Sequence, residues 1–181
     1  MVRRVLIALF VVFALFFTYI ALESPEYKIS REIKITASPE VIFPFINNSR
    51  KADEWMPWKD SDPSVKMTYS GPEEGVGATS EWNSTGSMGT GSARVVESLL
   101  NEQVKTELNY AKPMKMEQTA LISLIPEKEG TIVRWSVTGQ NNFVGRLFCF
   151  FIDMDKFIGG EFEKGLSKLK TMTEAKPPAS P

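Results

Sequence analysis

Three hydrophobic textures follow one another along the chain. Residues 5–22, VLIALFVVFALFFTYIAL, run eighteen positions without a charge. At about 1.5 Å per residue a helix of that length reaches roughly 27 Å, close to the hydrocarbon thickness of a bilayer. Arg3 and Arg4 precede it, and Tyr19 sits near its far end, where interfacial aromatics collect. The pattern predicts a transmembrane anchor over residues 1–24. A cleaved signal peptide is the competing reading, but Leu-Glu-Ser-Pro-Glu offers no small-x-small cleavage site, and Pro25 disfavours cutting after Ser24. The basic residues ahead of the span favour an inside amino terminus. The expected location is therefore a single-pass membrane protein whose soluble domain is extracytoplasmic, or periplasmic. Lys28, Arg31 and Lys34, just past the span, act against that bias.

From residue 27 the texture becomes alternating. Tyr27, Ile29, Arg31, Ile33 and Ile35 share one parity against polar neighbours, which predicts a half-buried strand over 27–36. Ser38-Pro39-Glu40 then opens a helix, with Ser38 as cap, Pro39 at the first helical position and Val41, Ile42, Phe45 and Ile46 as the apolar face. Asn47-Asn48 stop it, and a second short helix is expected over 50–55. Strands are predicted near 64–70, 76–84, 88–99, 102–110, 114–126 and 129–139, joined by Gly-, Pro- and Asn-containing turns. Connections this short allow only antiparallel neighbours.

The third texture is helical. Ile158, Phe162, Leu166, Leu169 and Met172 recur at spacings of three and four, which predicts one long amphipathic helix from 142 to 173. Its first half, FVGRLFCFFI, is apolar nearly all round, and Gly159-Gly160 lie between the halves. Glycine in a helix interior costs roughly 1 kcal/mol, so the pair predicts a kink or a close approach. Residues 174–181 are expected to be a disordered tail. The organisation is an anchor (1–24), an α+β domain of about seven antiparallel strands with a long C-terminal helix (25–173), and the tail.

Composition changes this picture by subtraction. The 181 residues contain no histidine and a single cysteine, Cys149. That removes imidazole bases, Ser-His and Cys-His dyads, intramolecular disulfides and cysteine zinc sites. With 21 basic against 22 acidic side chains, nucleic acid is not the expected partner. Residues 1–22 hold 19 of the 77 hydrophobic side chains, so the other 159 residues are only 36% hydrophobic, an ordinary value for a globular domain. Asp153 and Asp155, placed on a helix at i and i+2, point apart and make no metal pair. Asp60-Ser61-Asp62-Pro63 reads as turn chemistry. Gly86-Ser-Met-Gly-Thr-Gly91 has its glycines in the wrong order for a dinucleotide loop and reads as a hairpin with a bulge. Arg134 alternates with Trp135 and points outward. No cofactor and no metal are expected.

The order of elements and the local wording resemble the START-like helix-grip superfamily (SRPBCC), in its polyketide cyclase/dehydrase and lipid-transport branch. The matching pieces are ITASPEVIFPFI, Trp55-Met56-Pro57-Trp58, Tyr69-Ser70-Gly71-Pro72, Val76-Gly77-Ala78 with Trp82, Gly89-Thr-Gly91, residues 130–135 (GTIVRW), and Met154-Asp155-Lys156 with GEFEKGLSKLK. The resemblance implies a curved antiparallel sheet gripping its C-terminal helix around an apolar cavity. The N-terminal anchor is a departure from the compact soluble members.

Parity assigns Trp82 to one face with Val76, Ala78 and Ser80, and Trp135 to one face with Val133 and Val137. Val65, Met67 and Tyr69, and Val104, Thr106 and Leu108, extend that lining. A packed core and a ligand cavity are both compatible with it. The candidate ligand-binding residues are Trp82, Trp135, Met67, Tyr69, Leu108, Val133, Phe148 and Phe151; the last two belong to the greasy half-helix, which either packs inward, borders the cavity mouth or touches the bilayer. No catalytic constellation emerges, and Tyr69 and Tyr110 are the best acid-base candidates available. Three functions follow: a membrane-anchored binder of a lipid-like small molecule, an interaction module with a collapsed cavity acting on another membrane protein, or a cyclase/dehydratase-type enzyme.

Overall fold

The computed structural model describes residues 1–175; the expected tail falls mostly outside the described residues, and Glu174 still belongs to a helix. The chain opens with helix α1 (Val2–Leu22), long and apolar enough to cross a membrane, a property that signal sequences share. Strand β1 (Glu26–Ile35) leads into helices α2 (Pro39–Asn47), α3 (Ser49–Trp55) and α4 (Trp58–Ser61). Six strands follow: β2 (Lys66–Ser70), β3 (Thr79–Asn83), β4 (Thr90–Leu99), β5 (Gln103–Lys112), β6 (Met116–Glu127) and β7 (Gly130–Gln140). Helices α5 (Phe143–Phe151) and α6 (Met154–Glu174) complete the described residues but for Ala175.

All seven strands form one antiparallel sheet in the order β1-β7-β6-β5-β4-β3-β2. The α+β helix-grip expectation is met: consecutive strands pair from β2 to β7, and β1 closes on β7. Each strand is positioned by the parity seen in its sequence. Val133, Trp135 and Val137 of β7 are buried, whereas Arg134 points outward and pairs with Glu32 of β1 at 2.9 Å. The core gathers Ile29, Ile35, Ile42, Val104, Leu124, Val133, Leu166 and Leu169 between the concave face, α2 and α6.

Local chemistry sets the helix ends. Ser38 occupies the cap position of α2, but its side chain makes no cap bond; its carbonyl accepts from the backbone N–H groups of Val41 and Ile42. Asn48 ends α2 and caps α3, its Oδ1 accepting from the N–H groups of Arg50 and Lys51 at 3.0 and 3.2 Å. Trp55 Nε1 donates to the Phe45 carbonyl at 2.9 Å, which ties α3 back to α2.

The long helix expected over 142–173 is two helices. The chain breaks at Ile152-Asp153, and the Asp153 carboxylate caps α6 by accepting from the Lys156 N–H at 3.0 Å. Gly159-Gly160 lie inside α6, not at a junction. What Gly159 supplies is a close approach: a Cβ there would collide with the Arg31 guanidinium. Arg31 is the lone charge on the apolar parity of β1, and it spends all five N–H donors. Two reach the Asp155 carboxylate at 2.8 and 3.0 Å, one Glu163 at 2.8 Å, one the Asp155 carbonyl at 2.9 Å and one the Ser30 carbonyl at 2.9 Å. These bonds hold α6 on the edge of the sheet and raise the Arg31 pKa further above its ordinary value.

Candidate functional site

Between the concave face and α6 lies a cavity of about 1790 Å3. Its floor is aromatic. Trp135 stacks on Phe162 of α6 at 4.0 Å with the rings 9° from parallel, and Trp55 and Trp58 meet Trp135 edge-on at 5.3 and 6.0 Å. Above that floor the wall is Val95, Val104, Leu108, Ala120, Ile122 and Val137, each at the inward parity of its strand. Trp82 closes the side nearest β2. Its ring can lie across β4 because residue 91 is glycine; a Cβ there would overlap the indole. Tyr110 then meets Trp82 edge-on at 5.2 Å.

The antiparallel register places one end of every strand at the same level. The start of β1, the end of β7, the β5–β6 turn and the β3–β4 turn therefore share the rim, where Ser24, Tyr27, Ser87, Met116, Asn141 and Gly145 line the opening. That end of the domain is also where α1 finishes and α5 begins.

Polar groups also line the interior, among them Ser80, Thr106 and Asp53. The side-chain amide of Gln118, itself buried, donates to the Tyr27 hydroxyl. Burial raises the Tyr27 pKa, partly offset by that bond from Gln118. Burial likewise pushes Tyr110 up to about 12, and its hydroxyl has no hydrogen-bond partner among the described residues. It is a protonated donor aimed at the cavity near neutral pH. Deeper, the Asp53 carboxylate accepts from the Tyr69 hydroxyl and pairs with Lys59 Nζ at 2.9 Å. Burial first, then the hydrogen bond to Asp53, holds Tyr69 well above an ordinary phenol. Neither tyrosine proposed for acid-base work is poised to lose a proton near pH 7.

Of the eight candidate ligand-binding residues, Trp82, Trp135, Met67 and Leu108 line the cavity. Tyr69 does not: its ring lies under the Arg50 guanidinium, 4.3 Å from the centroid, and borders a separate surface pocket of about 300 Å3 beside Ser49, Gly71 and Glu73. Val133 is fully buried in the packed core and is not among the lining residues. Phe148 and Phe151 are 54% and 73% exposed on α5 and are not lining residues. The helix break at Asp153 separates α5 from α6, so α5 does not pack inward as one continuous helix would. Val76, expected beside Trp82, precedes β3 and is exposed.

Sequence reasoning missed Gln118, although its signal was present: it shares parity with Met116, Ala120, Ile122 and Leu124, a lone amide on an apolar face. The remaining candidate clusters have structural duties. Asp62 is buried, and its carboxylate accepts from Ser64 and Ser84 Oγ at 2.6 Å each and from the Met88 N–H at 3.1 Å. It ties the α4–β2 link to the β3–β4 turn at the cavity rim. The glycines at 86–91 do form a hairpin, with a register shift in the β4–β5 pairing between Thr90 and Gly91.

The same architecture recurs in solved structures. The di-domain ARO/CYC BexL from the BE-7585A biosynthetic pathway superposes with a TM-score of 0.62 at 14% identity, covering 87% of this chain and 53% of that one. The Aha1 dimer from Colwellia psychrerythraea gives 0.58 at 21% identity, covering 82% and 96%. Ara h 8.0201 gives 0.55 at 10% identity, covering 83% and 99%. At such identities the likeness is one of fold. No curated protein matches the chain in sequence. The profile of the family described as "Polyketide cyclase / dehydrase and lipid transport" does match, over residues 26–174. A single antiparallel sheet gripping α6, a cavity between them and that match over most of the length lead to one conclusion: the chain belongs to the polyketide cyclase/dehydrase and lipid-transport family.

Proposed function

We propose that this chain is a membrane-anchored binding protein for a hydrophobic or amphipathic, lipid-like small molecule, held between the sheet and α6. The observation that carries the reading is the volume and lining of the cavity. At about 1790 Å3 it exceeds the roughly 300–1,000 Å3 of ordinary small-molecule sites, and most of its wall is aliphatic or aromatic. A long acyl or polycyclic body suits that wall, and the Tyr27–Gln118 pair with the Tyr110 hydroxyl gives a polar end three groups to bond. Trp82, Trp135, Met67 and Leu108 are the proposed contact residues. The open volume argues against an interaction module with a collapsed interior. Asp53, committed to the Tyr69 hydroxyl and Lys59, is not free to act as a base in an acid-base reaction.

The anchor is α1. Arg3 and Arg4 at its start favour an amino terminus inside and the domain outside the cytoplasm. The test uses the full chain in nanodiscs titrated with a brominated fatty acid. Quenching of the tryptophans around the cavity that saturates, and that weakens in Ala120→Phe, supports the reading. Quenching that does not saturate, or is the same in that variant, contradicts it.

A further inference from the structure

Helix α5 is the most apolar-surfaced helix of the domain that follows α1. Phe143, Val144, Phe148, Phe150, Phe151 and Ile152 are between 38% and 73% exposed, and Phe157 just beyond is 68% exposed. That is a contiguous apolar surface of the kind that marks an interaction site. Arg146 is the only charge on α5, and it is turned inward. Its Nη1 donates to the carbonyls of Ala21 and Glu23 at 3.0 and 2.7 Å, satisfying the C-terminal end of α1. The outward face of α5 therefore carries no charge at all.

The position of α5 along α1 identifies what covers it. Phe150 meets Phe16 at 5.2 Å and Tyr19 at 6.4 Å, Phe143 meets Phe17 at 6.2 Å, and Phe151 meets Phe16 at 6.5 Å. Phe16 lies six residues inside the C-terminal end of α1, which at 1.5 Å per residue is about 9 Å. If α1 spans the bilayer, rings seated on Phe16 are about that far below the surface, the depth at which interfacial helices bury their apolar face. An α5 standing in water would require α1 to be drawn out by the same distance.

From these contacts we infer that α5 is a membrane-inserted element, lying in the leaflet that α1 enters on the side of the domain, and that the cavity mouth consequently opens onto that leaflet. The inference rests on reading α1 as a span. Ser24, Asn141 and Gly145, where α1 and α5 join the sheet, are rim residues of the cavity, so a lipid-like molecule passes between leaflet and interior without crossing bulk water.

The experiment places a nitroxide on the full chain in phosphatidylcholine vesicles, using Phe151→Cys or Phe148→Cys in a Cys149→Ser background. Glu129→Cys, at the opposite end of the sheet, is the reference, and circular dichroism verifies folding of each variant. The expected result is a ratio of oxygen to neutral nickel-chelate accessibility several-fold higher at both α5 positions than at residue 129. Equal ratios overturn the inference. Shielding from both agents together with spin–spin broadening also overturns it, in favour of a second copy of the chain on α5. The intact mass distinguishes the premise: a mature chain beginning near residues 22–26 removes the anchor, and the inference falls with it. None of these readouts requires a ligand, so they stand apart from the cavity reading.

Discussion

Removing the ring of Phe162 isolates the contact on which the cavity floor depends. Phe162 is 3% exposed and stacks on Trp135 with the centroids 4.0 Å apart. Burial of a phenylalanine side chain contributes about 2–3 kcal/mol, and a stacked aromatic pair adds about 1 kcal/mol. The space left by Phe162→Ala opens onto the existing cavity instead of forming a sealed void, so the extra cavity cost seen in close-packed cores is small. The expected loss is therefore about 3–4 kcal/mol, which for a domain of this size lowers Tm by roughly 10 °C. Phe162→Leu keeps most of the apolar area and loses the stack, for an expected cost of about 1–1.5 kcal/mol. The assay is thermal unfolding of the full chain in nanodiscs, followed by near-UV circular dichroism of the tryptophans. A loss below about 1 kcal/mol for Phe162→Ala would refute the reasoning, because no ring packed between α6 and β7 can be deleted so cheaply.

Other expectations follow from single residues. Arg31→Ala frees the edge of α6 and leaves Asp155 and Glu163 unpaired, so it lowers Tm by less than Phe162→Ala; Gly159→Ala, which displaces the same guanidinium, shifts Tm in the same direction. The hydrogen bonds from Ser64, Ser84 and Met88 hold the Asp62 carboxyl well below its ordinary value. Because the folded value is depressed, its stabilisation is complete above the unfolded-state value of about 4 and is lost as pH falls below that. Asp62→Asn is thus less stable than the parent at pH 7, and the gap in urea midpoints narrows below pH 4. Ultraviolet titration at 295 nm should show a tyrosine component near 12, absent in Tyr110→Phe. Ala120→Trp, projecting from the centre of the cavity wall, should leave Tm nearly unchanged and lower ligand affinity at least tenfold in a fluorescence titration.

Much of the fold is legible in the sequence because a sheet with one buried face writes a period of two. All six strands after the helices lie within a few residues of their expected positions, and Arg134 faces solvent as its parity requires. The break at Ile152-Asp153 is hidden because helical spacing continues on both sides of it, and the glycine pair draws attention to the wrong place. Helix α4 is four residues long and carries no period to detect. The site is only half legible for a related reason. Parity assigns Trp82, Met67, Leu108, Trp135 and Val133 to one face, but it cannot say which are covered by α2 and α6 and which border open space. Arg31 and Gln118 stand out in the sequence as polar residues on apolar faces. In the folded chain Arg31 grips α6, and Gln118 with Tyr27 presents a polar group to the cavity. The greasy run 143–152 announces an apolar surface without saying what it meets, and its seat on Phe16 and Phe17 supplies that.

Native mass spectrometry of the full chain, released from nanodiscs assembled from its own host membrane, tests most directly whether the cavity holds a molecule. An occupied cavity gives a chain carrying one additional apolar mass that is lost in Ala120→Trp and retained in Glu129→Cys. A bare chain in every spectrum, with the parent and Ala120→Trp indistinguishable, would contradict the binding role.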